Sequence, residues 1–333
     1  MEIREQVSLA EYTTFGIGGA ARYFAEATVE ADVTEAVSWA KGRGVPLFVL
    51  GGGSNLLVPD EGFDGLVLLM GMRGVAREGG SFDVGAGESW DELVSVTVAA
   101  GCSGMECLAG IPGSVGGTPV QNVGAYGQEV AETIVSVRAF DRDAGEFVEL
   151  SNAECGFRYR ESIFNTSARG RFIVTQVRFG LLEGGAPRVA YADLQRRFAG
   201  VSPTLAEVAE AVREIRLGKG MLIVSGDPDC RSAGSFFKNP IVSVETLVGI
   251  PGVPHWPAGE GRVKLPAAWL LEQAGFVKGF GSGRIRISSR HTLALTNRGG
   301  ATFADLMGMQ DEIVARVFAR FGVRLEREPV VLG

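Results

Sequence analysis

The stretch ECLAGIPGSVGGTPVQNVGAYG, residues 106–127, decides how the rest of the chain is read. Gly110, Gly113, Gly116, Gly117, Gly124 and Gly127 interrupt it, with Pro112 and Pro119 between them, so no continuous helix is expected. Glu106 is its only charged residue, and Leu108, Ile111, Val115, Val120 and Val123 make it more apolar than an ordinary surface loop. Glycine lets another group approach the main chain closely. The pattern therefore predicts backbone amides laid along something large and flat, or along a phosphate.

The whole chain sets the bounds. At 333 residues it is long enough for two or three domains. Glycine, at 48 residues, is about twice its usual share of roughly 7%, and without a GXY period it implies tight turns and ligand-hugging loops. A net charge of −7 offers no basic field for nucleic acid. No apolar run reaches bilayer-spanning length. The N-terminus MEIREQVSLAEY has no apolar signal core. Four cysteines, Cys102, Cys107, Cys155 and Cys230, make no disulfide framework in a chain this long. With only His255 and His291 beside them, no metal site is expected. The expected setting is a reducing cytoplasm, with no membrane or nucleic-acid partner and a monomeric chain.

Outward from the glycine stretch, the chain mixes strands and helices, an α+β pattern. A helix is predicted over about 30–41, then a buried strand over 46–50 running into Gly51, Gly52, Gly53, Ser54 and Asn55. That turn fails the dinucleotide fingerprint, because Leu56 stands where GxGxxG needs its last glycine and no acid follows about twenty residues on. What remains is a nest of N–H groups suited to a pyrophosphate, or simply a tight turn. Capping boxes at Ser89/Glu92 and Thr204/Glu207 open two more helices, the second with Val208, Val212 and Ile215 on one stripe. Residues 285–297 read as one strand, and a long helix is predicted over 303–321.

Three places set polar groups among apolar ones. In FRYRESIF, 157–164, Arg160 stands between aromatic residues, either as part of a surface salt-bridge strand or as a clamp for a carboxylate or phosphate. In RSAGSFFKNP, 231–240, Ser235 lacks a GxSxG elbow and a histidine motif, so it suits hydrogen-bond or proton donation better than nucleophilic attack. In the tail, alternation puts Glu326 and Glu328 on one face of an extended segment.

Several blocks, in order and nearly end to end, resemble the UDP-N-acetylenolpyruvoylglucosamine reductase family of bacterial cell-wall synthesis. They are TTFGIGG from Thr13, VLGGGSNLLV from Val49, AGIPGSVGG from Ala109, PVQNVGAYGQEV from Pro119, FRYRESIF, RSAGSFFKNP, AAWLLEQAG from Ala267 and LEREPV from Leu325. The resemblance implies a vanillyl-alcohol-oxidase-like (PCMH-type) FAD-binding domain over 1–204, in two subdomains of about 1–67 and 68–204. It also implies a smaller α+β substrate domain over 205–320 and a tail, 321–333, returning to the active site.

It further implies FAD and NADPH as cofactors and UDP-N-acetylglucosamine enolpyruvate as substrate. Gly51 to Asn55 would take the pyrophosphate. Ile111, Pro112, Gly113, Ser114, Gly116 and Gly117, with Gln121, Asn122, Gly124, Ala125 and Tyr126, would line the rest of the dinucleotide. Ser235 would be the proton donor, with Arg160 and Glu328 stabilising the intermediate. Tyr191, Lys219, Asn239 and His291 would hold substrate. PVQNVGAYG and RVAYADL, from Arg188, resemble the subtype with an extra substrate-covering tyrosine loop. Two departures stand out: Gly220 and Met221 follow Lys219 where the family often has Leu-Pro, and Pro329 follows Glu328 where it usually has Val.

Two rival readings follow from the same residues. One is an FAD-dependent sugar or alcohol oxidase with covalently held flavin. Both histidines lie in the C-terminal half, so Cys107 is its remaining candidate for attachment. The other is a non-catalytic protein that binds flavin or a nucleotide sugar.

Overall fold

The computed structural model describes all 333 residues. The chain forms two compact units, each built from separated segments: Met1–Val7, Ala21–Gly53 and Asp64–Leu217 in the first, and Ser8–Ala20, Ser54–Phe63 and Gly218–Gly333 in the second. No helix is long and apolar enough to cross a membrane.

The first unit carries two main sheets and two short two-stranded ones. One has four strands in the order Arg4–Ser8, Ala20–Ala27, Phe63–Met70 and Leu47–Leu50. Leu47–Leu50 runs parallel to Phe63–Met70, with Leu47 opposite Leu66 and Leu50 opposite Leu69. The other has five antiparallel strands, ordered Glu146–Ser151, Ile134–Asp141, Phe172–Gly180, Ser81–Gly85 and Val75–Glu78. Its α-helices are α1 (Glu30–Arg43), α2 (Trp90–Ala99), α3 (Ala192–Arg197) and α4 (Leu205–Gly218). Its core includes Leu66, Leu68, Phe82, Val84, Trp90, Val177, Phe179, Val208 and Val212.

The helix ends follow local chemistry. Ser89 Oγ accepts from Glu92 N at the start of α2. Before α4, Thr204 Oγ1 accepts from Glu207 N while the Glu207 carboxylate accepts from Thr204 N, a reciprocal capping box. Gly44 closes α1 in the left-handed conformation.

The second unit has α5 (Ala267–Gln273), α6 (Phe303–Phe321), a three-stranded sheet ordered Ile241–Ser243, Arg262–Lys264 and Trp256–Pro257, and a hairpin of Ile285–Ile287 with Leu295–Asn297. Its core gathers Phe15, Leu57, Phe236, Phe237, Leu270, Leu271, Phe276, Leu306, Ile313 and Val317. The helix expected over 303–321 is found at those limits, and Gly322 ends it with φ +67°.

The single strand expected over 285–297 is instead two strands folded back on each other. The break falls in the polar run SSRHT. The buried Ser288 hydroxyl accepts from Arg290 N at 3.1 Å and His291 N at 3.3 Å. A side chain that bonds nearby amides in this way competes with strand pairing and makes the turn.

Candidate active site

The glycine stretch of the first unit is laced onto the approach to α2. Gly116 N donates to Ala86 O, Val115 N to Glu88 O, and Trp90 N to Gly113 O, at 2.8–3.1 Å. Gly110 N donates to the Asp91 carboxylate at 2.6 Å, and the Trp90 indole N–H to Leu108 O. Glu106, fully buried, has a structural task. Its carboxylate accepts from Gly104 N, Gln128 Nε2 and Arg188 N, so three segments share one acceptor.

The turn after Leu50 packs on this stretch. Gly52 N donates to Ser114 Oγ at 3.1 Å. A Cβ on Gly52 would stand 2.5 Å from Gly113 Cα, backbone against backbone, so no other residue fits. Gly51, Gly53, Gly113, Ser114, Gly116 and Gly117 therefore belong to one backbone-lined region. Closely approaching glycine turns beside the start of α2 suit a dinucleotide, whose pyrophosphate binds main-chain N–H groups. Ile111 packs against the unit's core, and Pro112 lies between it and Gly113. The expected Gly51-to-Asn55 run crosses the division of the chain, since Ser54 and Asn55 belong to the second unit. After Asn55 comes the short strand Leu56–Leu57 rather than a helix, which agrees with rejecting the dinucleotide fingerprint.

Downstream, Gly124–Ala125 pairs with Gln128–Glu129 through a two-residue turn, Tyr126 and Gly127, both left-handed at φ +48° and +88°. Such turns usually take Asn or Gly at the first position. Tyr126 is held there by its surroundings. Its ring is buried and meets Tyr191 edge-on at 5.2 Å, and its hydroxyl pairs with Arg216. Burial raises the Tyr126 phenol above its ordinary value, and the Arg216 charge partly opposes this.

Only four non-glycine residues take left-handed backbone: Gln6, Asn122, Tyr126 and Arg160. Three of them are expected site residues. Strain of this kind persists only where neighbours enforce it. Asn122 is buried, with Nδ2 donating to Glu129 Oε2 at 2.8 Å and to Arg158 O at 3.0 Å, while its Oδ1 accepts from Ala131 N. Arg160 sits in a tight turn closed by Arg158 N to Glu161 O and Glu161 N to Arg158 O. Its guanidinium donates to Gly124 O at 2.8 Å and to Asn122 O at 3.5 Å. FRYRES is thus clamped to QNVGA, with Arg160 in a turn rather than in the strand the sequence also allows. Gln121 immediately precedes Asn122 in this segment.

In the second unit, RSAGSFFKNP and the tail lie side by side. Phe237 bridges Arg327 antiparallel, Glu328 N donates to Phe236 O at 2.9 Å, and Lys238 N donates to Glu326 O at 2.9 Å. Ser235 and Glu328 are brought together at the end of this ladder. Asn55 Nδ2 donates to Glu328 O at 3.4 Å. Glu326 is exposed whereas Glu328 is half-buried, so the two carboxylates do not share one environment.

Ser235 Oγ lies 3.5 Å from His291 Nε2. Burial, aided by the charges of Lys219 and Lys278, pulls His291 down to about 4, so it is neutral near pH 7. Asn239 Oδ1 accepts from Ala267 N and caps α5, leaving its amide N–H₂ for other partners. Lys219 follows α4 directly and stands second in the last segment of the second unit, which opens at Gly218. The departure at Gly220 has a local cause: its φ is +66°, and a Cβ there would stand 3.0 Å from that of Asp229.

Sequence reading missed Arg216. It is buried, donates from Nε to Gly110 O at 2.9 Å, and pairs with Tyr126. Burial weakens its hold on its proton, and Tyr126 and Asp91 oppose that. The signal was present, since 208, 212 and 216 share one helix face and a charge on an apolar stripe marks a buried partner. Cys107 fares differently. Its thiol is fully buried and pushed up to about 12, chiefly by burial and then by Glu106, so it is a poor nucleophile for covalent flavin attachment.

The two units and the glycine-lined turns define an α+β flavoprotein: residues 21–151 match a family model described as an FAD binding domain. Residues 227–332 match a second model, described as the C-terminal domain of UDP-N-acetylenolpyruvoylglucosamine reductase. The chain belongs to the UDP-N-acetylenolpyruvoylglucosamine reductase family. It is 49% identical to the protein of that name from Streptomyces coelicolor, over 98% of this chain and 89% of the relative. It is 42% identical to the one from Ralstonia nicotianae, over 97% of each. The crystal structure of the MurB reductase from Thermus caldophilus superimposes with a TM-score of 0.70 at 30% identity, covering 100% of both chains.

Proposed function

We propose that the chain reduces UDP-N-acetylglucosamine enolpyruvate to UDP-N-acetylmuramate with FAD and NADPH, a step in making peptidoglycan precursors for the growing and dividing cell wall. When bound, FAD supplies the hydride chemistry, with the hydride drawn from NADPH and delivered to the methylene carbon of the enolpyruvyl ether. The observation that carries the reading is the ladder in which Glu328 N meets Phe236 O, because it seats a hydroxyl donor beside a carboxylate-bearing tail.

The residues divide the work. Gly51–Asn55 and the 111–117 loop, with Gln121–Tyr126, hold the dinucleotide through main-chain groups. Addition of hydride leaves carbanion character next to the substrate carboxylate. Arg160 and Glu328 stabilise its enolate form, a fixed electrostatic arrangement that water would have to reorganise to match. Ser235 gives a proton to the carbon as general acid. Lys219 and Tyr191 bind the diphosphate, and Asn239 offers its free amide N–H₂. We assign the chain to the subtype with the covering tyrosine loop, on the support of the Tyr126–Tyr191 contact that seats the loop's tyrosine. A nucleotide sugar and NADPH are both intracellular metabolites, so the cytoplasm is its place of action, and a monomer is sufficient for it.

The test is anaerobic. Purified protein that carries flavin is reduced with NADPH, then mixed with the enolpyruvyl substrate while flavin absorbance is followed. Reoxidation with formation of the lactyl ether is expected. Reduced flavin that persists in saturating substrate would refute the reaction.

A further inference from the structure

The family resemblance places His291 among the substrate-binding groups. Its surroundings point elsewhere. The turn 288–294 holds the imidazole in a fixed position. Ser288 N donates to Ala294 O at 2.8 Å, Ser288 Oγ accepts from His291 N, and Phe236 N donates to Leu293 O at 2.8 Å. That last bond ties the turn to the segment carrying Ser235. The turn is braced from behind as well. Arg290 Nε donates to the buried Asp229 carboxylate at 3.1 Å, Arg290 also pairs with Asp227, and Ser289 Oγ donates to Asp229 at 2.6 Å. At the end of this scaffold, His291 Nε2 faces Ser235 Oγ at 3.5 Å. Active-site hydrogen bonds of this length commonly tighten when substrate is bound.

We propose that His291 is a positioning residue for proton transfer: its Nε2–H donates to Ser235 Oγ, turning the serine's own proton outward to the substrate carbon and stabilising the charge left behind. This rests on the reaction proposed above. A serine hydroxyl is a weak acid, and one that points its proton at a histidine nitrogen cannot give it to carbon. With His291 as donor, the balance is simple. The C–H bond forms as the Ser235 O–H bond breaks, the oxygen keeps the electron pair, and the alkoxide accepts the Nε2–H hydrogen bond until water returns a proton. The imidazole stays neutral throughout. The charged groups acting on it are Lys219 and Lys278, and both disfavour the imidazolium. Their positive charge also favours the serine oxyanion.

The test compares His291→Leu, which cannot donate, with His291→Gln, which can. Each variant's reoxidation by saturating enolpyruvyl substrate is measured anaerobically in H₂O and D₂O, and set against the same variant's reduction by NADPH. Loss of fold or flavin lowers both rates and is thereby recognised. His291→Leu is expected to slow reoxidation relative to reduction by roughly 10- to 100-fold, the scale of one hydrogen bond to a developing charge. It should also enlarge the solvent isotope effect, and His291→Gln should recover most of the rate. The proposal is overturned if His291→Leu weakens substrate affinity alone, or if His291→Gln is as slow as His291→Leu. Wild-type protein that fails to reoxidise at all would instead overturn the reaction itself.

Discussion

The Arg160 guanidinium donates to the carbonyl oxygen of Gly124 at 2.8 Å, while Arg160's own backbone is left-handed at φ +58°. One residue thus locks the end of the glycine stretch and carries the charge assigned to the substrate carboxylate. Lysine cannot do both, because it lacks the planar fork. Arg160→Lys is expected to lower the rate of reoxidation by substrate by about 10²-fold, the loss typical of one preorganised donor. Turnover close to wild type would remove Arg160 from the site.

Asn122 answers a different question, how much the left-handed turn costs to hold. Asn122→Ala removes both Nδ2 donations, leaves Ala131 N without its acceptor and Arg158 O with Glu161 N alone, and puts alanine in a conformation it disfavours. A loss of about 3 kcal/mol is expected in urea unfolding. A change below about 1 kcal/mol would show that the turn forms without these bonds.

Gly52→Ala tests the flavin cradle. The new methyl would press on Gly113 Cα at 2.5 Å, and backbone cannot move aside cheaply. Destabilisation of about 1–3 kcal/mol is expected from overpacking. The purified variant should also lose most of its visible flavin absorbance. Retention of stoichiometric flavin would place the dinucleotide elsewhere.

Ser235→Ala should separate the two halves of the reaction. In the role proposed for Ser235, reduction by NADPH needs no proton from serine, whereas reoxidation does. The second step is expected to slow by about 10²- to 10⁴-fold, the usual contribution of a general acid. Equal slowing of both steps would count against the proton-donor role.

Asp141 gives an acid-side prediction. Its hydrogen-bonded pair with Arg171 holds the carboxyl down at about 2 against an ordinary 3.8. Burial opposes this, and the N–H groups of Asp143 and Ala144 add to it. A folded-state value below the unfolded one means stability that is complete above 3.8 and is lost as pH falls through about 2. Asp141→Asn should therefore lower the thermal midpoint at neutral pH, and its deficit against wild type should shrink between pH 4 and 2. A deficit that is constant with pH would assign the effect to packing rather than charge.

Much of this was readable in the residues, and the reasons differ by element. Helix α6 announces itself through Leu306, Ile313 and Val317 on one stripe and Gly322 behind it, because its periodicity and its stop are both local signals. Helix α2 is fixed the same way by Ser89 and Glu92. The hairpin 285–297 looks like one strand in the sequence because the event that breaks it, two amides bonding to the Ser288 hydroxyl, depends on burial that a sequence does not display. Arg216 is hard to single out from sequence because its partners, Gly110 O and the Tyr126 hydroxyl, are 106 and 90 positions away in the chain. The glycine stretch lies between these cases. Its composition predicts close backbone approach, but only the Gly52–Gly113 contact says which turn approaches which.

The second unit borrows from the start of the chain in a way that sets the order of its birth. Residues 54–63 supply Leu57 to its core, and Asp60, whose carboxylate accepts from Phe303 N at 2.8 Å and Ala304 N at 3.1 Å, to the first turn of α6. Leu56–Leu57 pairs in parallel with Val330–Val331, 274 positions further along the chain. A chain emerging from the ribosome can close most of the first unit early. This short strand must wait, unpaired, until its partner 274 positions later has been made. Leu56 and Leu57 are then an apolar edge in search of a neighbour, which is the kind of surface that chaperones recognise and that sticks to other nascent chains. Residues 330–332 act as a latch that ends this exposure, so deleting residues 329–333 should harm solubility during expression far more than the small mass removed would suggest.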